Sequence, residues 1–206
     1  MMLSISSAFA QFSTYYYQKK TLYDALPNDK NEIIFLGNSI TDGGEWAELF
    51  RNKKIKNRGI SGDVTDGVLF RLEEVYESSP KKVFLLIGIN DLSRGKSKAY
   101  VHKNILKIVD TIHEKSPKTK VYVQSLLPVN DCYGKFRGHT NKGASVLWVN
   151  KKLKSDASAH GYTYINIHDS FANEEGKMKK EYSNDGLHLL GKGYLNWVDI
   201  IKAYVK

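Results

Sequence analysis

The sequence predicts an α/β fold: a parallel sheet of five strands with helices on both faces. Three observations carry this. Five short segments of strand length alternate with segments whose apolar residues recur at helical spacing. The run Val83 to Ile87 is apolar without a break, as a strand covered on both faces should be. Connections between such parallel strands are right-handed crossovers, so the turns after the strands gather on one edge.

Residues 11–30 are polar and rich in tyrosine (Tyr15, Tyr16, Tyr17, Tyr23), which reads as an outer arm or short helix. Ile33 to Leu36 forms the first strand, and Gly37-Asn38-Ser39 ends it. Asp42-Gly43-Gly44 loosens the backbone before a helix over about 44–52 that contains Trp46, Leu49 and Phe50. Ile55 to Arg58 is the second strand, followed by the tight turn Gly59-Ile60-Ser61-Gly62-Asp63. Thr65 is a candidate cap for a helix over 66–78, with Val68, Leu69, Leu72, Val75 and Tyr76 on its apolar side. The third strand, Val83 to Ile87, ends in Gly88-Ile89-Asn90-Asp91. A helix over 97–115 follows, then a fourth strand, Val121 to Leu127, closed by Pro128. The long polar loop 129–142 precedes a helix over 143–159, a fifth strand, Tyr162 to Ile167, and a closing helix over 191–205. No repeat or second folding unit is visible: an arm over 1–31 leads into one domain over 32–206.

Composition narrows the function. Of 206 residues, 41% are hydrophobic and 26% charged, the balance of an ordinary globular chain. No apolar run approaches the ~18 residues of a membrane span. Lys and Arg exceed Asp and Glu by 31 to 22, a net charge of +9. The lysines are scattered and no dense basic helix is interleaved with aromatics, so the excess reads as a solvated surface and not as a nucleic-acid site. The single cysteine, Cys132, rules out an intrachain disulfide. His102, His113, His139, His160 and His168 stand apart without ligand spacing, so no metal site is expected. Ala8-Phe9-Ala10 before Gln11 has the small-x-small pattern of a signal-peptidase site, although the stretch is short and lacks a basic start. It reads as the tail of a signal peptide or an apolar arm; an exported protein is the expectation.

The chemistry lies at the strand ends. Ser39 follows a buried strand, at the edge where open α/β sheets bind ligands. Alone it is as well explained as a turn residue or cap. A serine nucleophile needs a base within reach, and the base needs an orienting partner. His188 is a suitable base, and Asp185, three residues earlier, shares its face of a turn. Acyl transfer also needs donors aimed at the developing oxyanion. The Ser39 N–H, the N–H of Gly62 and the Asn90 amide are available at the same edge. Asp63 and Asp91 read as braces for those loops. Trp148, Tyr194 and Trp197 read as core. Whether Tyr133, Phe136, Arg137 and His139 line the cleft stays open.

Gly37-Asn38-Ser39-Ile40-Thr41, Gly59-Ile60-Ser61-Gly62-Asp63, Gly88-Ile89-Asn90-Asp91 and Asp185-Gly186-Leu187-His188 together resemble the four sequence blocks of the SGNH hydrolases, the GDSL esterase/lipase superfamily. They occur in the right order, and the likeness spans about residues 32–204. It looks nearest to the platelet-activating-factor acetylhydrolase branch, with carbohydrate acetylesterases similar. The resemblance implies a three-layer α/β/α sandwich, flavodoxin-like, with strand order 2-1-3-4-5. It implies Ser39 as nucleophile, His188 as base and Asp185 as its partner. It assigns the oxyanion hole to Ser39, Gly62 and Asn90, with no metal or cofactor. Asn38 stands where the name-giving motif has Asp, and joins Asp63 and Asp91 around the site. The expected substrate is a short acyl ester, acetyl on a carbohydrate such as sialic acid. A phospholipid acetyl ester, or a lysophospholipase-type lipase activity, is the alternative within the class, and a non-catalytic glycan-binding module the alternative outside it.

Overall fold

The structure, a computed structural model, describes residues 12–29 and 31–206. Ala8-Phe9-Ala10 lies outside the described residues. The elements run α1 (Thr14–Ala25), β1 (Ile33–Gly37), α2 (Ser39–Asp42), α3 (Trp46–Leu49), β2 (Ile55–Gly59), α4 (Thr65–Phe70), α5 (Glu73–Tyr76), β3 (Lys82–Leu86) and α6 (Ile89–Ser93). They continue with α7 (Lys98–Lys115), β4 (Lys120–Gln124), α8 (Arg137–Thr140), α9 (Gly143–Asp156), β5 (Thr163–Ile165), α10 (His168–Phe171) and α11 (Gly191–Val205). The five strands form one parallel sheet in the order β2-β1-β3-β4-β5, as expected.

Strand register builds an aromatic row across one face of the sheet. Phe35 pairs with Phe84 and Phe84 with Tyr122, and both pairs of rings stack, with centroids 5.0 and 4.7 Å apart. Trp46 of α3 stacks on Phe35 at 4.4 Å, and Trp197 of α11 meets Trp46 edge-on at 4.7 Å. The C-terminal helix is thereby docked beside β1, which brings the loop before it next to the end of that strand. The alternate residues Ile34, Leu36, Val83 and Leu85 are buried too. α4, α7 and α9 pack in succession, α7 turning Val101, Ile105, Ile108 and Ile112 inward. Fully burying one such side chain contributes on the order of 2 kcal/mol.

Two expected helices differ from the structure, each for a visible reason. The helix expected over 44–52 is shortened to α3, Trp46–Leu49, and an extra turn of helix, α2, precedes Gly43-Gly44. Asn57 of β2 donates its side-chain amide to the carbonyls of Thr41, Asp42 and Gly44, which holds that turn open. The segment over 66–78 is split into α4 and α5 at Arg71, whose guanidinium is drawn into the interior. Thr65 is no cap: it is the first residue of α4, and its hydroxyl donates to Asp91 Oδ1 at 2.5 Å. The loop 129–142 carries a 3₁₀ turn at Asp131–Tyr133 and the short helix α8.

Candidate active site

The strand ends bring Ser39, His188 and Asp185 into line. Ser39 is the first residue of α2, and Asn38 before it is fully buried, its Oδ1 accepting the Ile40 N–H. His188 Nε2 lies 3.1 Å from Ser39 Oγ, and His188 Nδ1 lies 2.7 Å from Asp185 Oδ2. The other carboxylate oxygen of Asp185 accepts the N–H groups of Leu187 and His188, each at 2.8 Å. Burial pushes the Asp185 carboxyl up, but the His188 hydrogen bond and those two N–H groups outweigh it, leaving it below the usual carboxylate range. An ionised Asp185 fixes Nδ1 as the protonated nitrogen and leaves the Nε2 lone pair facing the hydroxyl. Because that carboxyl is depressed in the folded state, its contribution to stability is present above the ordinary carboxylate pKa and lost in stronger acid. Activity needs the Nε2 lone pair free, so turnover is expected to fall in acid. A pH–rate profile without an acid limb would contradict this.

Three candidate donors lie just past the ends of the adjacent strands β1, β2 and β3. The Ser39 and Gly62 N–H groups have no acceptor among the described residues. Gly62 holds φ +80°, a conformation that disfavours side chains. Its carbonyl accepts from Arg94 Nη2 at 2.7 Å, which pins the peptide. Asn90, the second residue of α6, donates one amide N–H to the Asp63 carbonyl at 2.8 Å, leaving the second free. An arrangement of hydroxyl, imidazole, carboxylate and unspent N–H groups is chemically suited to attack on a carbonyl and to holding the oxyanion formed.

Behind these loops lies a buried charge network that sequence reasoning missed. Arg71 Nε donates to Asp63 Oδ2 at 2.9 Å, and Arg71 Nη2 donates to the carbonyls of Gly37 and Arg58 at 3.2 and 2.8 Å. Glu74 joins Arg58 at 3.0 Å and Arg71 at 3.4 Å. One guanidinium thus ties the end of β1, the end of β2 and the loop carrying Gly62. Burial pushes the Asp63 carboxyl up to about 6 against the opposing pull of Arg71. Asp91, also buried, accepts the Thr65 N–H and hydroxyl. The signal for Arg71 was present: Val68, Arg71 and Val75 share one helical face, so a charge sits in an apolar stripe.

The cleft beside Ser39 has a volume of ≈ 430 Å³ and is lined by Tyr15, Asp42, Gly43, Ser61, His188, Leu189 and Tyr194. Tyr194 packs against the core, as expected, with its ring on Trp46 and Trp197, and it also lines the cleft; its hydroxyl donates to the Ile40 carbonyl. Trp197 is core. Tyr15 arrives from α1. Its hydroxyl donates to Asp42 Oδ2, which also accepts from the Ser61 N–H and hydroxyl, while Lys19 pairs with Asp42 Oδ1. The question left open for loop 129–142 is resolved in part: Phe136 and His139 reach the site. The Phe136 ring meets the His188 ring edge-on at 5.0 Å, and His139 Nε2 lies 2.9 Å from Asn90 Oδ1. Cys132 is exposed and free. No helix among the described residues is long and apolar enough to cross a membrane.

A parallel sheet of this order, with a hydroxyl, an imidazole and a carboxylate aligned at its carboxyl edge, is an α/β fold that matches solved GDSL hydrolase structures. The chain belongs to the GDSL-like lipase/acylhydrolase family, which it matches over residues 35–195, and it is an ester hydrolase. It is 31% identical over 169 residues to the alpha1 subunit of platelet-activating factor acetylhydrolase IB from Homo sapiens, covering 79% of this chain and 70% of that one. A Streptococcus pneumonia structure whose name refers to platelet activating factor is 28% identical, covers 93% of both chains and superposes with a TM-score of 0.85. An acetyl xylan esterase structure, at 18% identity and a TM-score of 0.71 over 85% of this chain and 100% of that one, shares the fold. The match to the family begins after α1, so the helix that carries Tyr15 is outside it.

Proposed function

We propose that this chain is a serine acetylesterase that removes O-acetyl groups from a carbohydrate, an acidic sugar such as sialic acid foremost. The alignment of Ser39 Oγ, His188 and Asp185, at 3.1 and 2.7 Å, carries the reading. Ser39 Oγ attacks the acetyl carbonyl while its proton passes to His188 Nε2. The tetrahedral oxyanion rests on the N–H groups of Ser39 and Gly62 and on the Asn90 amide. Collapse breaks the bond to the alcohol, which leaves with the proton from His188. A water deprotonated by His188 then attacks the acetyl-Ser39 ester, and acetate departs.

The acetyl group is supported by the acetylhydrolase names of the relatives at 31% identity. The sugar is supported by the cleft: Tyr15 and Tyr194 line it, and Ser61 and Asp42 add polar groups to the lining. Preference for an acidic sugar is supported by the net charge of +9 and by Arg94, which is exposed and donates to the Gly62 carbonyl. The names of the same relatives favour a second reading, an acetylated phospholipid. A substrate panel separates them. Rates on p-nitrophenyl esters are expected to fall from acetyl to octanoyl, and O-acetylated sialic acid is expected to be cleaved faster than an acetylated phospholipid. Rates that rise with chain length, or the reverse preference, would overturn the sugar acetylesterase reading.

A further inference from the structure

Asn90 has a side chain held at both ends. Its Nδ2 donates to the Asp63 carbonyl at 2.8 Å, and its Oδ1 lies 2.9 Å from His139 Nε2. A carbonyl can only accept, so the Asp63 contact fixes which end of the amide is nitrogen. Oδ1 must then accept, and His139 must present a protonated Nε2. We propose that His139 is a positioning residue for the oxyanion hole: its Nε2–H locks the plane of the Asn90 amide so that the second N–H faces the tetrahedral oxygen. The inference rests on the acyl-transfer reading above and adds a residue outside the four sequence blocks.

The surroundings fit the assignment. His139 is half-buried, and burial, together with the nearby His188 and Arg94, lowers its pKa, so the ring stays neutral with a single defined N–H. Its backbone is anchored: the His139 N–H donates to the Phe136 carbonyl at 2.7 Å. Phe136, at φ +48°, meets both rings edge-on, His139 at 5.9 Å and His188 at 5.0 Å. One short segment of the loop after β4 therefore touches the base and, through Asn90, the oxyanion donor. Neutral His139 also places no second positive charge near His188 to oppose its taking the proton from Ser39. The ordinary role of a half-buried histidine is a packing contact, and a double-mutant cycle separates the two.

The test uses kcat and KM for p-nitrophenyl acetate with His139→Ala, His139→Gln, Asn90→Ala and the double variant. Loss of an oxyanion donor costs about 10²- to 10³-fold in kcat, so Asn90→Ala is expected in that range. His139→Ala is expected to lower kcat about 10-fold with KM little changed, because the contact matters when the oxyanion forms. In the Asn90→Ala background the same change is expected to cost less than about 2-fold. His139→Gln, which keeps a donor, is expected to recover most of the rate. The ¹⁵N spectrum of the His139 ring is expected to show the Nε2–H tautomer in the wild type and to lose that preference in Asn90→Ala. Equal losses in both backgrounds, no recovery with Gln, or an Nδ1–H ring would overturn the proposal. If His139→Ala does not fold, the Gln variant and the ring spectrum decide. A wild type without ester turnover would sink the acetylesterase reading while leaving the tautomer measurement to judge the His139–Asn90 bond.

Discussion

Ser39→Ala is expected to lower the turnover of p-nitrophenyl acetate about 10⁴- to 10⁶-fold while the protein stays folded. The loss is large because hydroxyl, imidazole and carboxylate act as one unit, so removing the first member leaves the other two nothing to activate. The fold is expected to survive because the Ser39 hydroxyl has its one hydrogen bond to His188, and α2 is capped by Asn38. The measurement is steady-state turnover alongside a melting curve. A variant that melts like the wild type and hydrolyses at the wild-type rate would remove Ser39 from the chemistry.

Arg71→Met is expected to cost about 3–5 kcal/mol of stability, which corresponds to a drop of about 10 °C or more in Tm for a chain of this size. The Arg71 side chain is fully buried, as is Asp63 beside it. Methionine fills similar space but leaves Asp63 with a buried carboxylate facing no cation, and releases the carbonyls of Gly37 and Arg58. Protonation of Asp63 relieves part of that cost, so the variant is expected to regain some stability as pH falls toward about 5. Arg71→Lys keeps the charge but not the fork, and should fall between the two. Chemical denaturation at two pH values checks this. A loss below about 1 kcal/mol would mean that the network does not support the site loops.

Much of the fold was legible because burial writes itself into the sequence. A central parallel strand covered on both faces must be apolar at every position, and Val83 to Ile87 is. The strand order was not readable from periodicity; it came with the four sequence blocks, and the hydrogen-bonded register agrees with it. Boundaries were poorer where side chains from elsewhere redirect the backbone. Asn57 gathers three carbonyls and opens the turn between α2 and α3, and Arg71 divides α4 from α5. Neither effect is local, so neither could be seen in a window of residues.

The candidate site divides in the same way. Ser39 and Asn90 stood out because each sits in a short polar block after an apolar run, and Gly62, Asp185 and His188 because their short blocks complete the set. Tyr15, Tyr194 and His139 did not, since their meaning depends on contacts made across the fold. Tyr15 reaches Asp42 from 27 residues away, and His139 reaches Asn90 from 49. Tyr194 lies in the amphipathic pattern of α11, where an aromatic usually means core; it packs against the core and also lines the cleft. A histidine in a polar loop carries no signal until the loop is folded against its partner.

The central claim is that an acyl group passes through one serine at the edge of the sheet. Its most direct test is mass spectrometry of protein mixed with p-nitrophenyl acetate and quenched in acid during the first turnover. The expected result is one acetyl group on the peptide that contains Ser39, absent in Ser39→Ala. Rapid release of p-nitrophenol with that peptide unmodified, or with the acetyl on another residue, would contradict the account.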